Sequence, residues 1–325
     1  MTVELIQGLL LAFAIVVILM TPYIRLLRAF GFGKRIRVEG PESHQVKEGT
    51  PTMGGLLIVG VVVGIYLFLQ EVDAATFAPL AALVGVGLLG AFDDYLNVRT
   101  GAGITARWKL LWLTVVSIIA AWQIQQTYDI TAIAVPFVGA VAVDPRVYVA
   151  FAAFAIVASA NGVNLTDGLD GLSGGTVAIA FVAFLLIALL NDPAQPNLAL
   201  LCALIIGALL GFLWFNVHPA QIFIGDAGAL SLGATLAVTA LITGQILVLP
   251  LIGIIFVIET GSVILQVLSY RLRGGKRIFL MSPIHHHFEL AGWDEEKITI
   301  RFWIVGVLAA LLGVTLFLAS LDRLQ

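Results

Sequence analysis

Residues 227–269 read AGALSLGATLAVTALITGQILVLPLIGIIFVIETGSVILQVLS, and Glu259 is the single charge among them. A helix crosses the hydrocarbon core of a bilayer in about 20 residues, so this run is far too long for one span. Thr243-Gly244-Gln245 offers a break that divides it into two. The same reading along the chain places spans at 5–24, 53–70, 76–92, 109–126, 147–163, 174–190, 198–216, 227–243, 245–269 and 301–320. The expected fold is an all-α polytopic membrane protein with ten transmembrane helices, a single integral membrane domain over residues 1–325.

The basic residues test that count. Six Lys and Arg lie in 25–52, three in 93–109 and six in 270–301; with ten spans, these segments share one side. They hold fifteen of the seventeen basic residues, and only Arg146 and Arg323 fall opposite. Loops rich in Lys and Arg stay in the cytoplasm. Both termini are therefore expected outside, and His44, His218, His285, His286 and His287 inside. On the outer face, Ile130–Val143 alternates weakly around Pro136 and Gly139 and fits a small β-hairpin.

Composition agrees. Charged residues are 11% and apolar residues 60% of the chain, with a mean hydropathy of +1.04; soluble domains carry about 25% charge. The single cysteine, Cys202, excludes an internal disulfide and a cysteine zinc site. The N-terminal apolar stretch lacks a basic leader and a small-residue cleavage site, so it reads as a retained helix.

Polar residues break the apolar pattern at few places. Asp93-Asp94 closes the third span, where the helix dipole disfavours negative charge. The pair reads as a general base or divalent-cation ligand, or as a solvated helix end. Asn161–Gly175, with two asparagines, two aspartates and five glycines, follows the fifth span. Glycines let backbone approach a ligand closely, and the next helix start can face an anion; the alternative is a tight turn. Phe223-Ile-Gly225-Asp226 precedes the eighth span, where Asp226 is either an N-cap or a ligand. Pro283-Ile-His285-His286-His287-Phe288-Glu289 lies in the longest cytoplasmic loop, near Arg271, Arg273, Lys276 and Arg277. Consecutive histidines rarely supply several ligands to one ion, and the cations either obey the inside rule or hold phosphates. Lys47 carries the same ambiguity. Glu259 is a functional intramembrane carboxylate or a buried hydrogen-bond partner. Hard oxygen donors, glycine turns and cations at one membrane edge suit Mg²⁺ and a diphosphate. A transporter of anionic solutes would instead gather charge near the midplane.

Thr50-Pro-Thr-Met-Gly-Gly55, Asp93-Asp94, Asn164-Leu-Thr-Asp-Gly-Leu-Asp-Gly171, Phe223-Ile-Gly-Asp226 and Pro283–Glu289 together resemble the polyprenyl-phosphate N-acetylhexosamine-1-phosphate transferases, in order from about residue 34 to 301. The His-His-His-Phe-Glu stretch resembles their phospho-N-acetylmuramoyl-pentapeptide transferase branch. The resemblance implies ten helices, a homodimer and a cytoplasmic active site in a bacterial plasma membrane. It implies Mg²⁺-dependent transfer of phospho-MurNAc-pentapeptide from UDP to undecaprenyl phosphate, giving lipid I and UMP, with no nucleic-acid partner. By the same resemblance, Asp226 is the Mg²⁺ ligand, Asp93 the base with Asp94 beside it, and Lys109 a catalytic-site cation. Lys47, Asn164, Asp167, Asp170 and Asn216 are substrate contacts, with Phe223 stacking on uracil. His285 and His286 are substrate-binding or catalytic, and His287 is substrate-binding. Two positions depart from the pattern. Asn97 stands where the family has lysine, so Arg99 or Lys109 is the expected replacement cation, and Ala229 stands for a serine. A sister transferase using UDP-GlcNAc is the nearest alternative.

Overall fold

The computed structural model describes residues 2–33 and 47–321; Lys34, Arg35, Arg37 and Arg323, used in the charge count, and His44, expected inside, lie outside them. The elements are α1 (Thr2–Ala29), α2 (Gly54–Leu69), α3 (Ala74–Thr100), α4 (Ala106–Tyr128), β1 (Ala132–Val135), β2 (Gly139–Ala142), α5 (Pro145–Thr166), α6 (Leu172–Leu190), α7 (Pro196–Asn216), α8 (Gly225–Ile242), α9 (Leu249–Ile252), α10 (Ile254–Leu272), α11 (Ile284–Leu290) and α12 (Glu295–Leu321). Nine helices among the described residues are long and apolar enough to cross a membrane. The expected second span is α2, only 16 residues long. At 1.5 Å per residue it reaches roughly 24 Å, short of the ~30 Å hydrocarbon core.

Local chemistry sets the helix boundaries. Asp73 and Thr76 form a reciprocal capping box at the start of α3. Hydrogen bonds from Thr76 and Asn197 outweigh burial and hold the Asp73 carboxyl below its usual range. Asp144 caps α5 through Arg146 N–H at 2.8 Å, with Pro145 in the first turn, where its missing donor costs nothing. The predicted hairpin is present: β1 and β2 pair antiparallel from Ala132↔Ala142 to Val135↔Gly139.

Three expectations are corrected. Helix α3 does not close at Asp93-Asp94 but continues to Thr100, ending at Gly101 in a left-handed conformation (φ 78°). The dipole argument at those aspartates therefore fails. The predicted break at Gly244 (φ 73°) is present, but the following span is interrupted again. Pro250 lies in the first turn of the four-residue α9, and Gly253 separates it from α10. The histidine triplet sits on the seven-residue helix α11 rather than in open loop.

Helix α8 is the central pillar: every residue from Ala227 to Ile242 is buried. It packs most extensively on α3, and also on α5, α2, α6 and α4. Small residues allow this closeness, as helix contacts within membranes generally require. A Cβ at Gly90 of α3 would collide with the Asp226 carbonyl, and one at Gly55 of α2 with Gly228. At the α5 crossing, Ser159 Oγ donates to the Gly233 carbonyl at 2.7 Å. A second apolar cluster (Leu169, Leu172, Ile255, Ile298, Phe302) lies among the loop after α5, α6, α10 and α12.

Candidate active site

Four helices deliver polar groups to one point. Lys109, in the first turn of α4, reaches Asp93 of α3 at 2.6 Å and also pairs with Asp226 at the start of α8. Asn164, in the last turn of α5, donates to the other Asp226 oxygen at 2.8 Å. Asp93 accepts from the Ile104 N–H, which fixes its side chain against the loop between α3 and α4. About a quarter of the Lys109 and Asp226 side chains is exposed, so the cluster can meet a ligand.

Asp226 is not the N-cap. Helix α8 begins one residue earlier at Gly225, whose φ of 71° starts the turn, and the cap position is Ile224. The capping carboxylate comes from another helix. Asp94, buried in α3, accepts from the N–H groups of Asp226 and Ala227, both at 3.1 Å. It thus satisfies two orphan donors at the start of α8. This frees the Asp226 carboxylate to face Lys109 and Asn164. The adjacent aspartates divide their work: Asp93 faces the cluster, and Asp94 holds α8.

The signature loops converge beside this cluster. Phe223 N–H donates to Pro51 O at 2.8 Å, Gly54 N–H to Phe223 O at 2.9 Å and Gly55 N–H to Ile224 O at 2.8 Å. Residues 51–55 and 223–224 are thereby stitched together. Asn216 is buried, accepting from Gly171 N–H and donating to Ile222 O; it ties the loop after α5 to the one carrying half-buried Phe223. Asp167 accepts from Ser173 Oγ at 2.6 Å.

Lys47, Asp170, His218 and Glu295 form a second polar knot. Lys47 binds Asp170 at 2.8 Å and Glu295 at 2.5 Å, and His218 Nδ1 lies 2.9 Å from Asp170. Burial opposes the charge on Lys47, but Glu295 and Asp170 outweigh it and hold the ammonium above the ordinary lysine range. Asp170, His218 and Glu295 are close enough to hold a metal, yet both Asp170 oxygens are already engaged, by Lys47, His218 and the Ala220 N–H. The oxygens of Asp93 and Asp226 are engaged as well, by Lys109, Asn164 and the Ile104 N–H. What distinguishes this pair is its all-carboxylate donor set, which fits Mg²⁺, an ion that takes one or two carboxylates and completes its shell with water and phosphate oxygens. Sequence reasoning missed Glu295 and His218 as partners; the acidic run Asp294-Glu-Glu296 before a basic-edged span was the available signal.

The three histidines point to three places. His285 is fully buried, with Nδ1 3.1 Å from Glu259 of α10. His286 pairs with Glu289 at 2.6 Å, and His287 accepts from Leu280 N–H at 3.1 Å. Glu259 is therefore a buried partner. Of the two replacement cations expected for Asn97, Lys109 lies among the acidic groups, whereas Arg99 stacks over Phe32 and Tyr95.

Known proteins resemble this chain over most of its length. The glycosyl transferase family 4 model matches residues 76–244, and the phospho-N-acetylmuramoyl-pentapeptide-transferase signature 1 matches 47–59. A protein of that name from Chloroflexus aurantiacus is 41% identical over 323 residues, covering 94% of this chain and 88% of the relative. One from Geobacillus sp. strain WCH70 is 43% identical over 319 residues, covering 95% and 97%. The signature falls on the segment stitched to Phe223 and Ile224, and the family match ends just past α8. The chain belongs to the phospho-N-acetylmuramoyl-pentapeptide-transferase family.

Proposed function

We propose that this protein transfers phospho-MurNAc-pentapeptide from its UDP nucleotide to undecaprenyl phosphate, releasing UMP and forming lipid I for peptidoglycan. The observation that carries the reading is the meeting of Asp93, Lys109, Asn164 and Asp226, one from each of four helices, at one point. Both reactants are anionic, so the first task is to bring two phosphates together. Lys109 supplies a fixed positive charge between two carboxylates. Asp226, with Asp93, offers the oxygen ligands of Mg²⁺, which when bound neutralises the diphosphate and eases departure of UMP. Asn164 holds Asp226 in orientation. A phosphate monoester has its second pKa near ~6, so Asp93 need remove little proton from the lipid phosphate before attack. Phe223 on the stitched segment, Asp167 and Asp170 after α5, and Lys47 paired with Asp170 contact the nucleotide sugar; Asn216 supports them from within. His286 and His287, on α11, reach the sugar-peptide part.

The start of α4, the start of α8 and the end of α5 in this cluster support a site at a membrane edge. The positive-inside distribution supports a cytoplasmic edge, with both termini outside. The protein works as a homodimer in the bacterial plasma membrane. The test is to incubate purified protein with UDP-MurNAc-pentapeptide, undecaprenyl phosphate and Mg²⁺ and assay UMP. Release that depends on all three is expected. UDP-GlcNAc in place of the nucleotide should be turned over at least about a hundredfold less well, because contacts to the missing lactyl-peptide are left unpaired. Equal turnover of UDP-GlcNAc would move the assignment to the sister transferase.

A further inference from the structure

Glu259 and His285 are buried and ionisable, and they lie outside the Asp93–Asp226 cluster. Their side chains are 0% and 1% exposed. Nδ1 of His285 approaches Glu259 Oε2 at 3.1 Å but off the hydrogen-bonding direction, and the ring and carboxylate atoms have no hydrogen-bond partner among the described residues. A buried carboxylate left alone costs several kcal/mol, so the two groups depend on each other. The far edge of the ring lies against the backbone. A Cβ at Gly168 would overlap Nε2 outright and come within 2.6 Å of Cε1. The ring occupies the volume where any side chain at position 168 would go. On its other flank, the His286 ring lies 4.1 Å away, centroid to centroid.

We propose that Glu259 and His285 form a positioning pair that sets the height of the loop from Asn164 to Gly171 and thereby the affinity for the nucleotide sugar. Glu259 holds the ring from α10, the ring fixes Gly168, and Gly168 spaces Asp167 from Asp170. His285 contacts no reacting atom, because its Nε2 faces a backbone and the whole residue is sealed. The pair acts through Asp167 and Asp170 on one side and through His286 on the other. The proposal rests on the transferase reading given above.

The test is steric and uses the full-length purified protein. Gly168→Ala, His285→Ala, their combination and Glu259→Gln are compared for kcat, for KM toward each substrate and for thermal unfolding. Gly168→Ala is expected to raise KM for UDP-MurNAc-pentapeptide about tenfold, with KM for undecaprenyl phosphate within about twofold. Glu259→Gln should show the same nucleotide-selective rise. Adding His285→Ala to Gly168→Ala should restore the kinetics of His285→Ala alone, since the methyl then has room. If Gly168→Ala fails to accumulate, recovery of folded protein on adding His285→Ala reports the same contact. Parent kinetics in Gly168→Ala would overturn the proposal. So would a fall in kcat at unchanged KM in His285→Ala, the signature of direct reaction. Equal loss toward both substrates would mark general damage and also reject it. A parent protein that releases no UMP refutes the transferase reading instead; the pair is then judged by unfolding alone, where His285→Ala must rescue Gly168→Ala.

Discussion

At the scale of single residues, Asp226 shows how a side chain changes meaning with one residue of register. Spacing alone leaves it as cap or ligand; Gly225 begins the helix earlier, Asp94 does the capping, and Asp226 is left to Lys109 and Asn164. Asp226→Asn keeps the shape and loses the charge. UMP release should fall at least about a hundredfold, as when a preorganised charge-stabilising group is removed, while the unfolding temperature barely moves. Retained activity would remove Asp226 from the metal site. Lys109 bridges the two carboxylates, so Lys109→Ala should cost ~10-fold or more in kcat/KM, about 1.4 kcal/mol. Asn97 is exposed and its carbonyl merely closes the end of α3. Asn97→Lys should therefore keep parent activity, measured in the same assay. These aspartates and the lysine were recognisable from their motifs. The inward turn of His285 was not, because a run of three identical residues carries no information about which one faces the core.

At the scale of elements, spans were legible because long apolar runs have one stable solution in lipid. Their ends were not. Helix α3 runs past its two aspartates because Asp93 and Asp94 find partners on α4 and α8, and only packing reveals that. The four-residue α9 and seven-residue α11 are too short to leave a periodic signal. The α3–α8 crossing gives the element-level prediction. Gly90→Ala places a methyl against the Asp226 carbonyl and must push the helices apart. Overpacking of this kind costs about 1–3 kcal/mol, and it also draws Asp93 away from Asp226. Both the unfolding temperature and UMP release should fall. Gly60→Ala, on the open face of α2 where no atom lies within 4 Å, should change neither. A loss in both variants would show only that α2 and α3 tolerate no alanine.

At the scale of the whole molecule, the charge distribution implies a ten-span topology; among the described residues nine helices are long enough to cross and α2 is a shorter tenth. Residues in the loop before α3 and in the loop after α10 should lie on opposite sides of the membrane. In a Cys202→Ser background, Glu71→Cys should react with an impermeant maleimide in intact cells, and Lys276→Cys only after lysis. Labelling of both from outside would reverse the placement of the active site. That the polar breaks share one membrane edge was expected from the charge count; which loops touch was not readable, because it depends on which helices surround α8.

That enclosure bears on how the chain is made. Helix α8 carries many small and hydroxyl side chains and little lipid-facing surface. Its principal neighbours α3 and α5 precede it in the chain, so they leave the ribosome first. Helix α8 therefore enters a membrane in which its cradle already waits. Its retention there rests on contacts with those earlier helices, and the Asp226 carboxylate at its start is put in place by assembly order as much as by sequence.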